Sequence, residues 1–123
     1  MKLQAVRFLR PTKFSEEFIR EGTLGKDEKV KCFYKGIRDM LIITDKRMIT
    51  IDKKGLTGKK QTYLSVPIDK IASYSITTAG GIELDSNLEI FAAGLGSIKA
   101  SILRPTKNID ELVATLKTIL FEK

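Results

Sequence analysis

Two stretches of this sequence carry side chains whose types and spacing could do chemistry. Between Asp52 and Gln61, "DKKGLTGKKQ" sets Lys53, Lys54, Lys59 and Lys60 around two glycines, a composition suited to holding an anion. Further on, Glu83, Asp85 and Glu89 stand at i, i+2 and i+6. An unbroken strand puts that spacing on one face, where carboxylates can bind a divalent cation or share acid–base work. Neither stretch completes a catalytic motif. A phosphate-binding loop needs G-x-x-x-x-G-K-[ST] between a strand and a helix. Here two residues separate Gly55 from Gly58, Lys60 stands where Ser or Thr is required, and strand patterns flank both sides. The plainer reading is a hairpin loop with glycines at positive φ and lysines in solvent. The acids likewise read as the solvent face of a strand whose other face is Ile82, Leu84, Leu88 and Ile90.

Absences narrow the chemistry further. The 123 residues include no His and one cysteine, Cys32. The commonest general base and metal ligand is therefore missing, and a thiolate zinc site cannot form. Cys32 lies in the alternating run "VKCFYKG" and is expected to be a half-buried structural thiol. No catalytic residue, metal or cofactor is expected. The formal charge is +7, with a pI near 9.6, which suits nucleic acid, anionic lipid or acidic proteins without choosing among them. Nucleic acid is disfavoured, because aromatics are 7% with no Trp. Phe33, Tyr34, Tyr63 and Tyr74 sit in strand patterns where packing is the usual role. No apolar run approaches the roughly 20 residues of a membrane-spanning helix, and the start "MKLQAVRFLRPTK" lacks the features of a secretory signal. A cytoplasmic location is the expectation.

The elements that must position these residues are legible in the periodicities. "NIDELVATLKTILFEK" repeats apolar residues at i, i+3, i+4 and i+7. That predicts an amphipathic helix over 109–121, with Asn108 as N-cap and Glu111 completing a capping box. Before it come seven strand patterns: "KVKCFYK", "DMLIITD", "RMITIDK", "KKQTYLSVPI", "KIASYSITTA", "IELDSNLEIFAAG" and "GSIKASILR". Asp45-Lys46 has the spacing of a tight hairpin, and Asp85-Ser86-Asn87 that of a bend. Near the N-terminus "KLQAVRFLR" reads as extended. "SEEFIRE" reads as a short helix capped by Ser15 and stopped by Gly22. The division expected is an extension over 1–28 and one domain over 29–123.

The string from Ile37 to Gly94 resembles the bacterial pleckstrin-homology (PH) domain family. "TDKRMI", "GLTGKK", "YLSVP" and "TAG…LDSNLEI" carry the resemblance in order and spacing, and the terminal helix extends it. It implies a mainly β fold, a seven-stranded curved β-sandwich or barrel capped by one amphipathic C-terminal helix. It also implies self-assembly into ring-shaped homo-oligomers, typically of five protomers, with a polar surface for protein–protein interaction and no catalytic activity. The candidate partner or oligomer surface comprises Lys46, Arg47, Lys59, Lys60, Glu83, Asp85 and Asn87. An acidic patch on one protomer facing a basic loop on the next suits a head-to-tail ring. The alternative is a peripheral adaptor for anionic lipid or another anionic ligand through Lys53, Lys54, Lys59 and Lys60. Against it, the "YKGIRD" turn, with Lys35 and Arg38, is too short to wrap a headgroup. The identity of any protein partner is not written in the sequence.

One string, "LRPTK", occurs at 9–13 and again at 103–107. Two copies this far apart are not a repeat architecture. In each the proline ends an extended segment and a helix rich in early acids comes next, so the same local job is expected twice. The first strand, resembling the last, is expected to add to a free sheet edge, that of a neighbouring protomer being one candidate.

Overall fold

A computed structural model describes residues 1–54, 59–78, 80–82 and 84–122. Among these, eight strands form one continuous, strongly bent sheet: β1 (Lys2–Pro11), β2 (Val30–Lys35), β3 (Met40–Thr44), β4 (Arg47–Lys54), β5 (Lys60–Pro67), β6 (Ile71–Thr77), β7 (Asp85–Ala92) and β8 (Gly96–Leu103). The order across the sheet is β5-β4-β3-β2-β1-β8-β7-β6. One helix, α1 (Lys107–Phe121), closes the chain. The fold is thus the mainly β, helix-capped PH-like architecture expected from the sequence.

The N-terminal strand is the hinge of this sheet. Most of it runs parallel to β8, from Lys2 opposite Ser97 to Leu9 opposite Ile102. Its last residues turn to pair antiparallel with β2, Arg10 opposite Lys35 and Pro11 opposite Tyr34. It therefore fills a place inside its own chain's sheet, between β2 and β8, and adds to no outer edge. Val6 and Leu9 on it are wholly buried. The turn between the two pairings is a bulge at Arg7-Phe8. Phe8 adopts φ 58°, and its amide leaves the ladder to donate to Ser101 Oγ at 2.7 Å. Gly36 packs directly against that bulge; a Cβ there would lie 2.7 Å from the Arg7 carbonyl oxygen and 2.9 Å from that of Phe8.

Bending the sheet brings its halves face to face around one core. Leu41, Ile43 and Met48 from one half meet Leu88, Ile90, Ile98 and Ile102 from the other, and Ile109, Leu112 and Leu116 of α1 close the end. Strand β3 is buried along its whole length, so both of its faces are covered. Its second face joins Phe33, Met40, Ile42, Ile49 and Ile51 in a separate cluster. The segment between β1 and β2 crosses that face as a strap. It lays down Phe14, Phe18, Ile19 and Leu24, with Phe18 stacked on Phe33 at 5.7 Å and Phe14 edge-on at 5.3 Å. Each buried side chain of that cluster contributes on the order of 2 kcal/mol of apolar transfer.

The strap departs from the short helix expected there. Only Glu16–Phe18 form a 3-10 turn, and Ser15 makes no side-chain cap. What fixes the strap is Glu28, whose carboxylate takes a two-pronged ion pair from Arg47: Nη2 to Oε1 at 2.8 Å and Nε to Oε2 at 2.8 Å. Arg47 also donates to the Thr23 carbonyl and to Ser65 Oγ. The helix start differs as well. Thr106 occupies the N-cap position without a side-chain cap bond. Asn108 lies inside the first turn, where its Nδ2 donates to the carbonyls of Leu103 and Arg104, and its own carbonyl accepts from Tyr34 Oη at 3.0 Å. Asn108 thus ties strand exit to helix entry instead of capping the helix. The two "LRPTK" strings accordingly share the strand exit but lead into different elements: the second enters α1, the first enters the strap.

Candidate functional site

Lys53 and Lys54 close β4, Lys60 opens β5 opposite Lys54, and Lys59 precedes it. The glycine-bearing turn between them, residues 55–58, lies outside the described residues, and so does the loop conformation expected there. At this end of the sheet a groove of about 570 Å³ opens between β1 and β4. Lys2, Arg7, Arg38, Lys53 and Lys54 line it, against Asp39 and Asp52. Five cations against two carboxylates make it an anion-attracting groove. Asp39 is committed to structure: its carboxylate accepts the Arg7 amide at 3.0 Å and the Lys53 amide at 3.3 Å. Burial raises its pKa, opposed by those two bonds. Asp52 lies 3.8 Å from Lys54 Nζ. The sequence pattern marks Lys53 and Lys54 but not Lys2 and Arg7. No local signal marks them, because only the passage of β1 beneath β4 brings them there.

The second candidate surface lies on the other half of the sheet. Asp85, Asn87 and Glu89 alternate with buried Ser86, Leu88 and Ile90 along β7. The acids of β7 do share its outer face, as the spacing predicts. Asn87 pairs across to Ser101 and Thr77, and Glu89 to Lys99 and Ser75. Glu83 lies outside the described residues. The buried side of this stretch is corrected at its start: Ile82 and Leu84 are 93% and 66% exposed. The strand begins only at Asp85, so the alternation that buries Leu88 and Ile90 does not reach back to them. No bulge interrupts β7 at Asp85–Asn87; its pairing with β8 is continuous from Asp85 to Ala92.

Lys46 and Arg47 sit at the opposite end of the β4–β5 ladder from Lys59 and Lys60. Arg47 pairs with Pro67 while Lys54 pairs with Lys60, a separation of about 23 Å at 3.3 Å per residue. The four basic residues therefore form two sites. Arg47 is engaged by Glu28, whereas Lys46 is exposed on the two-residue turn between β3 and β4. It lines a second groove, of about 670 Å³, with Lys31, Pro67, Ile68, Asp69 and Ile119.

The remaining reactive groups are structural. Cys32 is half-buried on β2, and burial pushes its thiol up to about 11. Burial also raises the pKa of Tyr34, whose hydroxyl holds α1. Among the described residues no three His, Cys, Asp or Glu side chains are grouped to hold a metal ion. No helix among them is long and apolar enough to cross a membrane.

A bent, mainly antiparallel sheet closed at one end by a C-terminal helix defines a PH-like fold. A bacterial PH domain model matches residues 2–120, and the chain belongs to that family. The match takes in β1 and the strap. Among solved structures, the chain is similar to a DUF1696 family protein with a pleckstrin-homology domain from Shewanella loihica PV-4. That similarity runs at 29% identity over 93% of this chain and 98% of that one, with a TM-score of 0.76. It is also similar to a pleckstrin homology domain from Shewanella amazonensis SB2B, at 32% identity over 80% and 79% of the two chains, TM-score 0.68. Among curated proteins it is 46% identical over 67 residues to the uncharacterized protein YjqA of Bacillus subtilis strain 168, and the match spans 54% of each chain.

Proposed function

We propose that this chain is a cytoplasmic, non-enzymatic scaffold that assembles head to tail into a ring of identical protomers, five being the expected number, and presents a surface to a protein partner. The observation that carries the reading is the separation of its charged candidate sites. Lys60 opens β5, at one edge of the sheet; Asp85 and Asn87 lie on β7, with five strands between. Opposite charges set on different strands of one sheet suit a heterologous, ring-closing contact, in which the basic end of β5 on one protomer faces the acidic face of β7 on the next. The measurement is light scattering on the intact chain. Asp85→Lys or Lys60→Glu alone should lower the assembled mass, and the two together should restore it. Unchanged mass in both single variants rejects this contact, and a monomeric wild-type chain rejects the ring.

A second reading is favoured by the groove of Lys2, Arg7, Arg38, Lys53 and Lys54. Its charge and size suit an anionic ligand, a lipid headgroup included. Co-sedimentation with vesicles containing phosphatidylserine should then depend on salt and fall in a Lys53→Glu/Lys54→Glu variant. Equal recovery with neutral vesicles rejects it.

A further inference from the structure

The outermost strands of the sheet are protected very differently. At one edge, β5 carries Lys60 at its start and Pro67 at its end. Its Thr62 carbonyl already accepts Gln4 Nε2 at 3.1 Å, and its Tyr63 hydroxyl accepts the Arg20 amide of the strap. Charge, proline and covering segments are the usual ways of keeping an edge from pairing with foreign chain. At the other edge, β6 reads "IASYSIT": seven residues without a charge or a proline. Its ladder runs only to β7. Among the described residues, the backbone of Ile71–Thr77 pairs with β7, and the Ile71 amide donates to the Ile68 carbonyl.

The flanks of this edge are also prepared. On its inner side, the half-buried rings and chains of Tyr74 and Ile76 stand beside the end of α1, where Phe121 lies 6.2 Å from Tyr74 and is 65% exposed. The groove of about 670 Å³ leads onto the start of β6 past Ile68 and Ile119, with Lys31 and Lys46 on its rim. Neither lysine is in an ion pair among the described residues. The rim also carries Asp69 and Asp45, the latter turned to the Lys29 amide at 3.0 Å. Locally the rim charges balance, and the +7 of the whole chain sets the sign of attraction.

We infer that the open edge of β6, with the groove leading onto it, docks an extended segment of an acidic partner protein, which adds as a further strand. Main-chain bonds to β6 supply affinity. Alternate apolar side chains of the segment face Tyr74, Ile76 and Phe121, and acids at its end meet Lys31 and Lys46. This inference rests on the protein-interaction half of the proposed function and names its surface.

The test uses the intact chain and a fluorescent synthetic peptide of two glutamates followed by alternating valine and threonine. Hydrogen exchange over 71–77 should slow when the peptide is added, with no change over 60–67. Phe121→Asp should weaken binding in fluorescence anisotropy at least tenfold, and Lys46→Glu severalfold with loss of salt dependence. A peptide that does not saturate, or that protects only the Lys53–Lys54 groove or β5, overturns the inference. Light scattering on the same samples separates the two readings. If Phe121→Asp dissociates the ring, the edge belongs to a second copy of the chain, and the peptide site falls while assembly stands. A monomer that still binds the peptide along β6 keeps this inference and removes the ring.

Discussion

At the scale of single residues, the Glu28–Arg47 pair and Gly36 carry consequences out of proportion to their size. The Arg47 guanidinium, with help from the Gly25 amide and the Thr44 hydroxyl, lowers the Glu28 carboxyl to about 2 against the opposing effect of burial. A depressed carboxyl stabilises the fold fully above its unfolded value, here 4.5. That contribution, on the order of 2–3 kcal/mol, is lost as pH falls through the window from 4.5 to about 2. Urea midpoints of the wild type should therefore decline across that window, and Glu28→Gln should be less stable near neutrality with a flatter acid limb. Gly36→Ala should cost about 1–3 kcal/mol in the same assay, because the added methyl meets two backbone carbonyls that cannot rotate away. Cys32 should react slowly with a thiol reagent at pH 8 in the folded chain and rapidly in denaturant, since its thiol is held protonated by burial.

The strap is the element that decides the most. Residues 12–28 include none that is fully buried, yet they cover Phe33, Met40, Ile42, Ile49 and Ile51, each at most 3% exposed. A cover with few buried contacts of its own opens at lower free energy than the sheet beneath it. Hydrogen exchange should find amides of 13–27 exchanging well before those of β3, which should exchange only on global unfolding. Equal protection of the two would mean that the strap belongs to the cooperative core. Phe18→Ala removes the stacking on Phe33 and should bring the exchange of both nearer together by destabilising the outer cluster, at a cost of about 1–3 kcal/mol.

For the whole molecule, the position of β1 turns two half-sheets into one. It pairs with β8 on one side and β2 on the other, so the sheet continues through the corner of the sandwich, and the open edges are left to β5 and β6. Removing residues 1–13 therefore takes out Val6 and Leu9 and separates the halves. The expected outcome is loss of a cooperative unfolding transition, not merely a smaller assembly. The same strand carries Lys2 and Arg7 to the basic groove and Gln4 to the β5 edge, where Gln4 accepts from Thr50 and donates to Thr62. One strand thus sets which edge is closed and which charges converge.

The strand periods, the two-residue turn at Asp45-Lys46, the helix from its i, i+3, i+4 stripe and the shared face of Asp85 and Glu89 were determined by the sequence alone. Each depends on neighbours within a few residues, where pleat and helical pitch leave little choice. The run "MLIIT" reads as a strand, but its burial on both faces and the cover of its second face came from the tertiary structure. That cover, the role of Asn108, the exposure of Ile82 and Leu84, and the joining of Lys2 and Arg7 to Lys53 were decided by tertiary structure. All depend on partners far along the chain: Asn108 on Tyr34, Gly36 on Phe8, β1 on β8. Pairing across such distances is fixed by packing, which local pattern does not encode.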